Sequence, residues 1–91
     1  MVEYTWDPEK EAENVRKRGI WFGEAKTVLY WRLAIRWFDE AHSQDEPRFN
    51  TIGWSALSRI LIVVTSDDGV QPRIISARRA TKRERDAYQR R

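Results

Sequence analysis

The chain has 91 residues, 41% hydrophobic and 34% charged, with no cysteine and one histidine, His42. This excludes disulfide staples, thiolate metal sites and cysteine nucleophiles, and leaves too few nitrogen and sulfur ligands for a zinc site, so no metal or cofactor is expected. The net charge is +3, but eight basic residues against two acidic ones give the last nineteen positions a net +6 and the rest a net −3.

Val2 to Trp6 reads as a short strand. Helix punctuation follows: Asp7 as cap, Pro8 at the first helical position, Glu9 and Glu11 at the positive end of the dipole, Arg16, Lys17 and Arg18 at the other end, and Gly19 as the left-handed stop. Ala12, Val15 and Gly19 give this helix a narrow inward face. A shorter helix over Phe22 to Leu29 carries Phe22, Ala25, Val28 and Leu29 at helical spacing. Leu33, Ile35 and Trp37 then alternate with Arg32, Ala34 and Arg36, the period of a half-buried strand. Asp39 to Pro47 is an acidic, turn-rich loop holding His42. Arg48 to Ser55 is the next strand, with Gly53 as a candidate bulge. Ile60 to Thr65 is the most apolar segment and the expected central strand. Ser66-Asp67-Asp68-Gly69 has hairpin composition, and Arg73 to Ala77 is the last strand, with Pro72 at its beginning or on an edge. Thr81-Lys82-Arg83-Glu84 is a capping box opening a polar helix to about Gln89, which leans on the sheet through Ala87 and Tyr88 or on a ligand or partner.

The length suits one domain over residues 1–91. Short connections predict an α+β fold: an antiparallel twisted sheet with two N-terminal helices packed on it and a short C-terminal helix. The longest strongly apolar run, Ile60 to Val64, falls far short of the roughly 20 residues of a membrane span. Met1-Val2-Glu3-Tyr4 lacks the basic start and apolar stretch of a secretory signal, so a cytoplasmic location is expected.

The basic tail points to a nucleic acid or an acidic protein partner, or to a merely solvated helix. Its cations are seven arginines and one lysine, and guanidinium forks match phosphate oxygens in pairs. There is no phosphate-cradling glycine loop, no His-Glu-x-x-His and no serine elbow with a triad histidine. RNA cleavage stays open because the 2′-hydroxyl beside the scissile phosphate is itself the nucleophile; a protein need only align it and neutralise the developing charge. Trp31, Trp37, Trp54 and Tyr88 are candidates for stacking bases, although the tryptophans mostly read as core.

Several segments together carry a family resemblance. Trp6-Asp7-Pro8 with Asn14, Lys17, Gly19, Phe22 and Ala25 opens the chain, and Arg48-Phe49 with Ile52-Gly53 lies in the middle. Arg73-Ile74-Ile75-Ser76-Ala77-Arg78-Arg79-Ala80-Thr81 with Arg83-Glu84-Arg85 and Tyr88 closes it. Over nearly its whole length the chain resembles the BrnT toxins of bacterial type II toxin–antitoxin systems, a RelE/ParE-like branch of ribonucleases. The resemblance implies ribosome-independent RNA cleavage and a hetero-oligomer with a BrnA-like ribbon-helix-helix antitoxin, through which alone operator DNA is bound. The matching positions are Arg73, Ser76, Arg78, Arg79, Arg83, Glu84 and Tyr88, with Lys17 and Arg48 earlier. Such toxins often carry a histidine where this chain has Arg18, and His-Thr where it has Thr65-Ser66; neither Arg18 nor Thr65 can shuttle a proton near neutrality.

The expected roles follow. Arg78 and Arg79 contact phosphate, or else form a structural ion pair with Asp86 or the acidic loop. Arg73, Arg83, Lys17 and Arg48 bind RNA, with Lys17 also explained as a helix-end charge. Glu84 is a cap or a general base, and Tyr88 is half core, half site. His42 is an exposed loop residue and the one imidazole open to catalysis. The competing reading is a weak or inactive module that binds an antitoxin and serves operon control; a third is a protein-binding domain whose basic tail meets an acidic antitoxin segment.

Overall fold

The computed structural model describes residues 2–90. In chain order these form α1 (Pro8–Arg18), α2 (Phe22–Leu29), β1 (Ile35–Phe38), a 3-10 turn (Glu40–His42), β2 (Arg48–Trp54), β3 (Ile60–Asp67), β4 (Pro72–Arg79) and α3 (Lys82–Arg90). The strands make one antiparallel sheet in the order β1-β2-β3-β4. Val2 to Trp6 is not a strand: its one ladder contact is a parallel bridge from Thr5 to Arg73.

The first helix is punctuated as its sequence demands. The Asp7 carboxylate accepts from the Glu9 N–H at 2.9 Å, and Gly19 (φ 69°) closes the helix with its N–H on the Val15 carbonyl. Its inward face differs from the expected one, because Ala12 and Gly19 are exposed and Asn14 is buried. The Asn14 amide donates to the Ile20 carbonyl at 2.9 Å and accepts from the Ala77 N–H at 3.1 Å. Glu11 accepts from the Trp6 indole and the Phe22 N–H. This helix is thus tied to β4 and to α2 by polar contacts where an apolar stripe was expected.

Leu61 and Val63 of β3, with Ile74 and Ala77 of β4, pack against Ile20, Phe22, Ala25 and Val28, and all are essentially inaccessible. The opposite face carries Ile52, Ile60 and Ile62, covered at one end by Ala80 and Tyr88. Hence α1 and α2 lie on one face of the sheet, and α3 covers part of the other. The Glu24 carboxylate, at the closed face, accepts from Ser55 Oγ at 2.7 Å and takes a two-pronged ion pair from Arg59, tying α2 to the β2–β3 turn.

The ladder's irregularity falls in β4 and not at Gly53. Gly53 pairs regularly with Leu61, and a Cβ there would meet Ala34 and Trp31 at 3.1 Å, so close approach explains the glycine. Between β3 and β4, Val64 pairs with Ser76 but Thr65 pairs with Ile74, leaving Ile75 as an extra residue. A bulge of this kind reverses the alternation beyond it. Ile74 and Ala77, which strict alternation would separate, both enter the closed core.

β1 also departs from expectation. All four of its residues are exposed, because it is an edge strand with no helix over either side. Ile35 and Trp37 remain 39% and 43% accessible.

Candidate functional site

Register assigns the arginines to faces. Cross-strand partners share a side of a sheet, and residues two apart along a strand do likewise. Ile52, Ile62 and Arg78 form one row, and Arg48, Ser66 and Arg73 another. Because of the bulge, Arg48, Arg73 and Arg78 all stand on the face that α3 only partly covers. Trp37, Asn50, Val64 and Ser76 make the row between them. Two strand spacings separate Arg48 from Arg73, about 10 Å.

Arg79 is on the other side. It pairs with Leu61 of the closed core, and its charge is felt by Glu24. Arg78 and Arg79, both expected at phosphate or in an ion pair, therefore stand on opposite faces, as neighbours in a regular strand must. Lys17 is likewise remote from the open face, on exposed α1, where it pairs with Glu13 at 2.9 Å. Arg83 is exposed in the first turn of α3.

Arg78 is not idle. Its guanidinium makes a fork-to-fork pair with Glu84, at 2.8 and 2.9 Å. Asp86, an expected partner, instead pairs with Lys82. The capping box is present as read, with Glu84 accepting from the Thr81 N–H at 2.8 Å and donating its own N–H to Thr81 Oγ1 at 3.2 Å. The Arg78 hydrogen bond, assisted by the Thr81 N–H against the opposing effect of burial, holds the Glu84 pKa down at about 2. A carboxylate so acidic is a poor proton acceptor near neutrality, so the ion pair and cap account for Glu84, and it does not suit the role of general base.

Tyr88 is 4% accessible. Its hydroxyl donates to the Leu33 carbonyl at 2.9 Å and accepts from the Trp31 indole at 3.1 Å. Both bonds fasten α3 to the segment entering β1. A shallow, largely apolar groove runs beside it, about 280 Å³, lined by Ile35, Trp37, Ile52, Ile62 and Ala87 with Glu84 at the rim. The tryptophans are less buried than expected: Trp21, Trp31 and Trp37 are exposed, while Trp6 and Trp54 pack partly against the two cores.

At the far end of the open face, Arg73 is ion-paired with Glu46 and with Asp68. Arg48 makes no side-chain hydrogen bond or ion pair among the described residues. Between the two in register, the Ser66 hydroxyl is fully buried with no hydrogen-bond partner among the described residues, an arrangement that costs about 1–3 kcal/mol. A cavity of about 400 Å³ joins Lys10, Glu46, Arg48 and Arg73. A smaller one, about 110 Å³, shares Glu46 and Arg48 and adds His42. Lys10, Glu46 and Ser66 escaped sequence reasoning, since neither spacing nor composition relates α1, the acidic loop and the β3 terminus. Among the described residues no three His, Asp or Glu side chains cluster as a metal site would need. No helix there is long and apolar enough to cross a membrane.

A four-stranded antiparallel sheet, closed by two helices on one face and partly covered by a third on the other, defines a small α+β fold that a solved structure shares. The crystal structure of the Brucella abortus ribonuclease toxin BrnT superposes with a TM-score of 0.69, covering 90% of this chain and 100% of that one at 24% identity. Residues 6–84 match the family model described as ribonuclease toxin, BrnT, of type II toxin-antitoxin system. The chain belongs to the BrnT family of ribonuclease toxins. Among curated proteins no relative matches.

Proposed function

We propose that this protein, acting as one domain over residues 1–91 in the cytoplasm, is an endoribonuclease that cleaves single-stranded RNA through the substrate's own 2′-hydroxyl, without a metal. One observation carries the reading: the β4 bulge brings Arg48, Arg73 and Arg78 onto the same open sheet face. Guanidinium groups there hold the backbone and stabilise the extra charge of the phosphorane as the O2′–P bond forms and the P–O5′ bond breaks. The products are a 2′,3′-cyclic phosphate and a 5′-hydroxyl. Trp37, exposed in the middle row, offers a stacking face for an unpaired base.

Arg79 and Lys17 take no part in this arrangement. Arg83, at the exposed start of α3, extends the basic surface. Glu84 keeps Arg78 in place, and Tyr88 keeps α3 in place, so both are positioning residues. The family implies an antitoxin partner; a BrnA-like protein, binding operator DNA through its ribbon-helix-helix part, fits that role. Its best seat is the β1 edge, where Ile35 and Trp37 leave apolar surface exposed beside the arginines, so that one segment covers the apolar groove and the RNA face together.

The test is cleavage of a single-stranded RNA by the Arg48→Ala/Arg73→Ala double variant. Each charge-assisted contact is worth about 1.5–3 kcal/mol, so a loss of at least about 100-fold is expected with the fold intact. Activity should persist in EDTA. Undiminished cleavage by a folded double variant refutes the assigned face, and loss of cleavage in EDTA refutes the metal-free mechanism.

A further inference from the structure

The arginines bind and polarise but cannot move a proton, because guanidinium stays protonated. Glu84 is too acidic and the Tyr88 hydroxyl is committed at both ends. At the end of the molecule that holds Arg48 and Arg73, Glu46 is engaged by Arg73 in an ion pair, and His42 shares a cavity with Arg48. We propose that His42, aligned by Asp39, is the proton acceptor for the RNA 2′-hydroxyl at a phosphate held by Arg48 and Arg73. This rests on the ribonuclease reading and assigns the acid–base group that the reading lacks.

The geometry is that of an oriented imidazole. His42 Nδ1 lies 3.0 and 3.2 Å from the two Asp39 carboxylate oxygens. A carboxylate at this distance can only accept, so in the neutral imidazole this contact selects the tautomer with the hydrogen on Nδ1 and the lone pair on Nε2. Nε2 makes no hydrogen bond among the described residues, and the side chain is 68% accessible. Burial works against the charged form of Asp39, but hydrogen bonds from His42 and Asn50 outweigh it and keep the carboxyl below its ordinary range.

The turn is also fixed relative to the phosphate-binding arginines. Asp39 N–H donates to the Arg48 carbonyl at 2.8 Å. Ser43 Oγ donates to the Asp39 carbonyl at 2.6 Å and accepts from the Arg48 N–H at 2.9 Å. Two of these hydrogen bonds pin the His42 turn to the first residue of β2, and the third braces the turn itself. Arg48 lines both the His42 cavity and the Arg73 cavity, and its guanidinium, in no ion pair among the described residues, is the bridge between them. The charged groups facing His42 are Asp39 from its own turn, Asp45 and Glu46 from the following loop, and Arg48 from β2.

In the step proposed, Nε2 takes the 2′-hydroxyl proton as O2′ bonds to phosphorus. The P–O5′ bond breaks, O5′ takes a proton from bulk water, and the imidazolium returns its proton to solvent. No oxidant, reductant or cofactor enters the balance.

Cleavage of a single-stranded oligoribonucleotide by the purified full chain, followed between about pH 5 and pH 8, tests this. Wild-type protein is expected to cleave with a rate that climbs with pH, as a step needing a free proton acceptor requires. His42→Ala is expected to lower kcat by about 10²- to 10⁴-fold with KM unchanged, to flatten the pH profile, and to regain activity in added imidazole. Asp39→Asn lowers kcat less and retains a climbing profile. Active wild type with an equally active His42→Ala overturns the assignment while leaving the ribonuclease reading standing. An impaired His42→Ala that keeps the climbing profile and ignores imidazole also overturns it, since that is the behaviour of a turn stabiliser. Wild-type protein that cleaves no RNA overturns both readings.

Discussion

The two faces of the sheet are built from the same strands and have opposite fates. On one, Leu61, Val63, Ile74 and Ala77 meet Phe22, Ala25 and Val28 with no residual exposure, and Glu24 and Arg59 form a latch at the margin. On the other, α3 covers Ile52, Ile60 and Ile62 but leaves the rows of Trp37 and of Arg48 without a helix. A chain this short has too little mass to cover both sides. The stability is therefore concentrated on the first face, and the second is free to carry charge that folding alone would not place there.

That division can be broken most forcefully through Phe22. It is wholly buried between α2 and the sheet, so Phe22→Ala is expected to cost about 3–5 kcal/mol through lost transfer energy and the cavity left behind. Trp37→Ala, a larger deletion on the open face, should cost under about 1 kcal/mol. Urea unfolding of the two variants makes the comparison. Equal losses would mean that the open face is as much a core as the closed one.

The closed face was the more legible of the two. Its helix α1 is bounded by a cap, a proline and a glycine, and α2 by its apolar spacing; these are local signals that act within one turn. The capping box of α3 is similarly local and forms as read. What escaped was decided between segments. Nothing near Ile75 announces a bulge, yet that one extra residue decides whether Arg73 shares a face with Arg78. Alternation in Leu33 to Trp37 predicted half-burial, but a strand is buried only if something covers it, and nothing in β1 itself says that α2 stops short. Asn14 was invisible as a core residue because its burial depends on Ile20 and Ala77, one of them 63 positions away. His42 was noticed by its rarity, whereas its alignment depends on the Asp39–Arg48 backbone pairing.

The adjacent arginines at the end of β4 offer a sharper version of the same contrast. Arg78→Ala removes a cation from the open face and should weaken RNA binding by about 10-fold or more. It should also reduce the log–log salt slope by about 0.7, the value for one phosphate contact on a single strand. Arg79→Ala removes an identical charge one residue away but on the closed side, and should leave both quantities within about 2-fold, apart from long-range effects that salt screens. Binding isotherms at several salt concentrations measure both. A matched loss in the two variants would show that net charge, and not the face it occupies, governs RNA binding.

The smallest expected effect concerns the ion pair that holds Arg78. Glu84 has a pKa of about 2 in the folded chain against an ordinary 4.5. Below the ordinary value the unfolded chain takes up a proton that the folded one refuses, so stability is present above about pH 4.5 and drains away as pH falls toward 2. The pair is about one-third exposed, and solvent screening reduces the contribution to about 1 kcal/mol. Glu84→Gln is the informative change because glutamine can still complete the capping box. The variant should unfold at lower urea than wild type at pH 7, with the difference vanishing as pH approaches 2. Its effect on RNA cleavage should be a few-fold loss without displacement of the pH profile, since loosening Arg78 disturbs phosphate binding but moves no proton. A displaced profile would return Glu84 to the reacting atoms and place the proton acceptor beside α3, at the opposite end of the open face from His42.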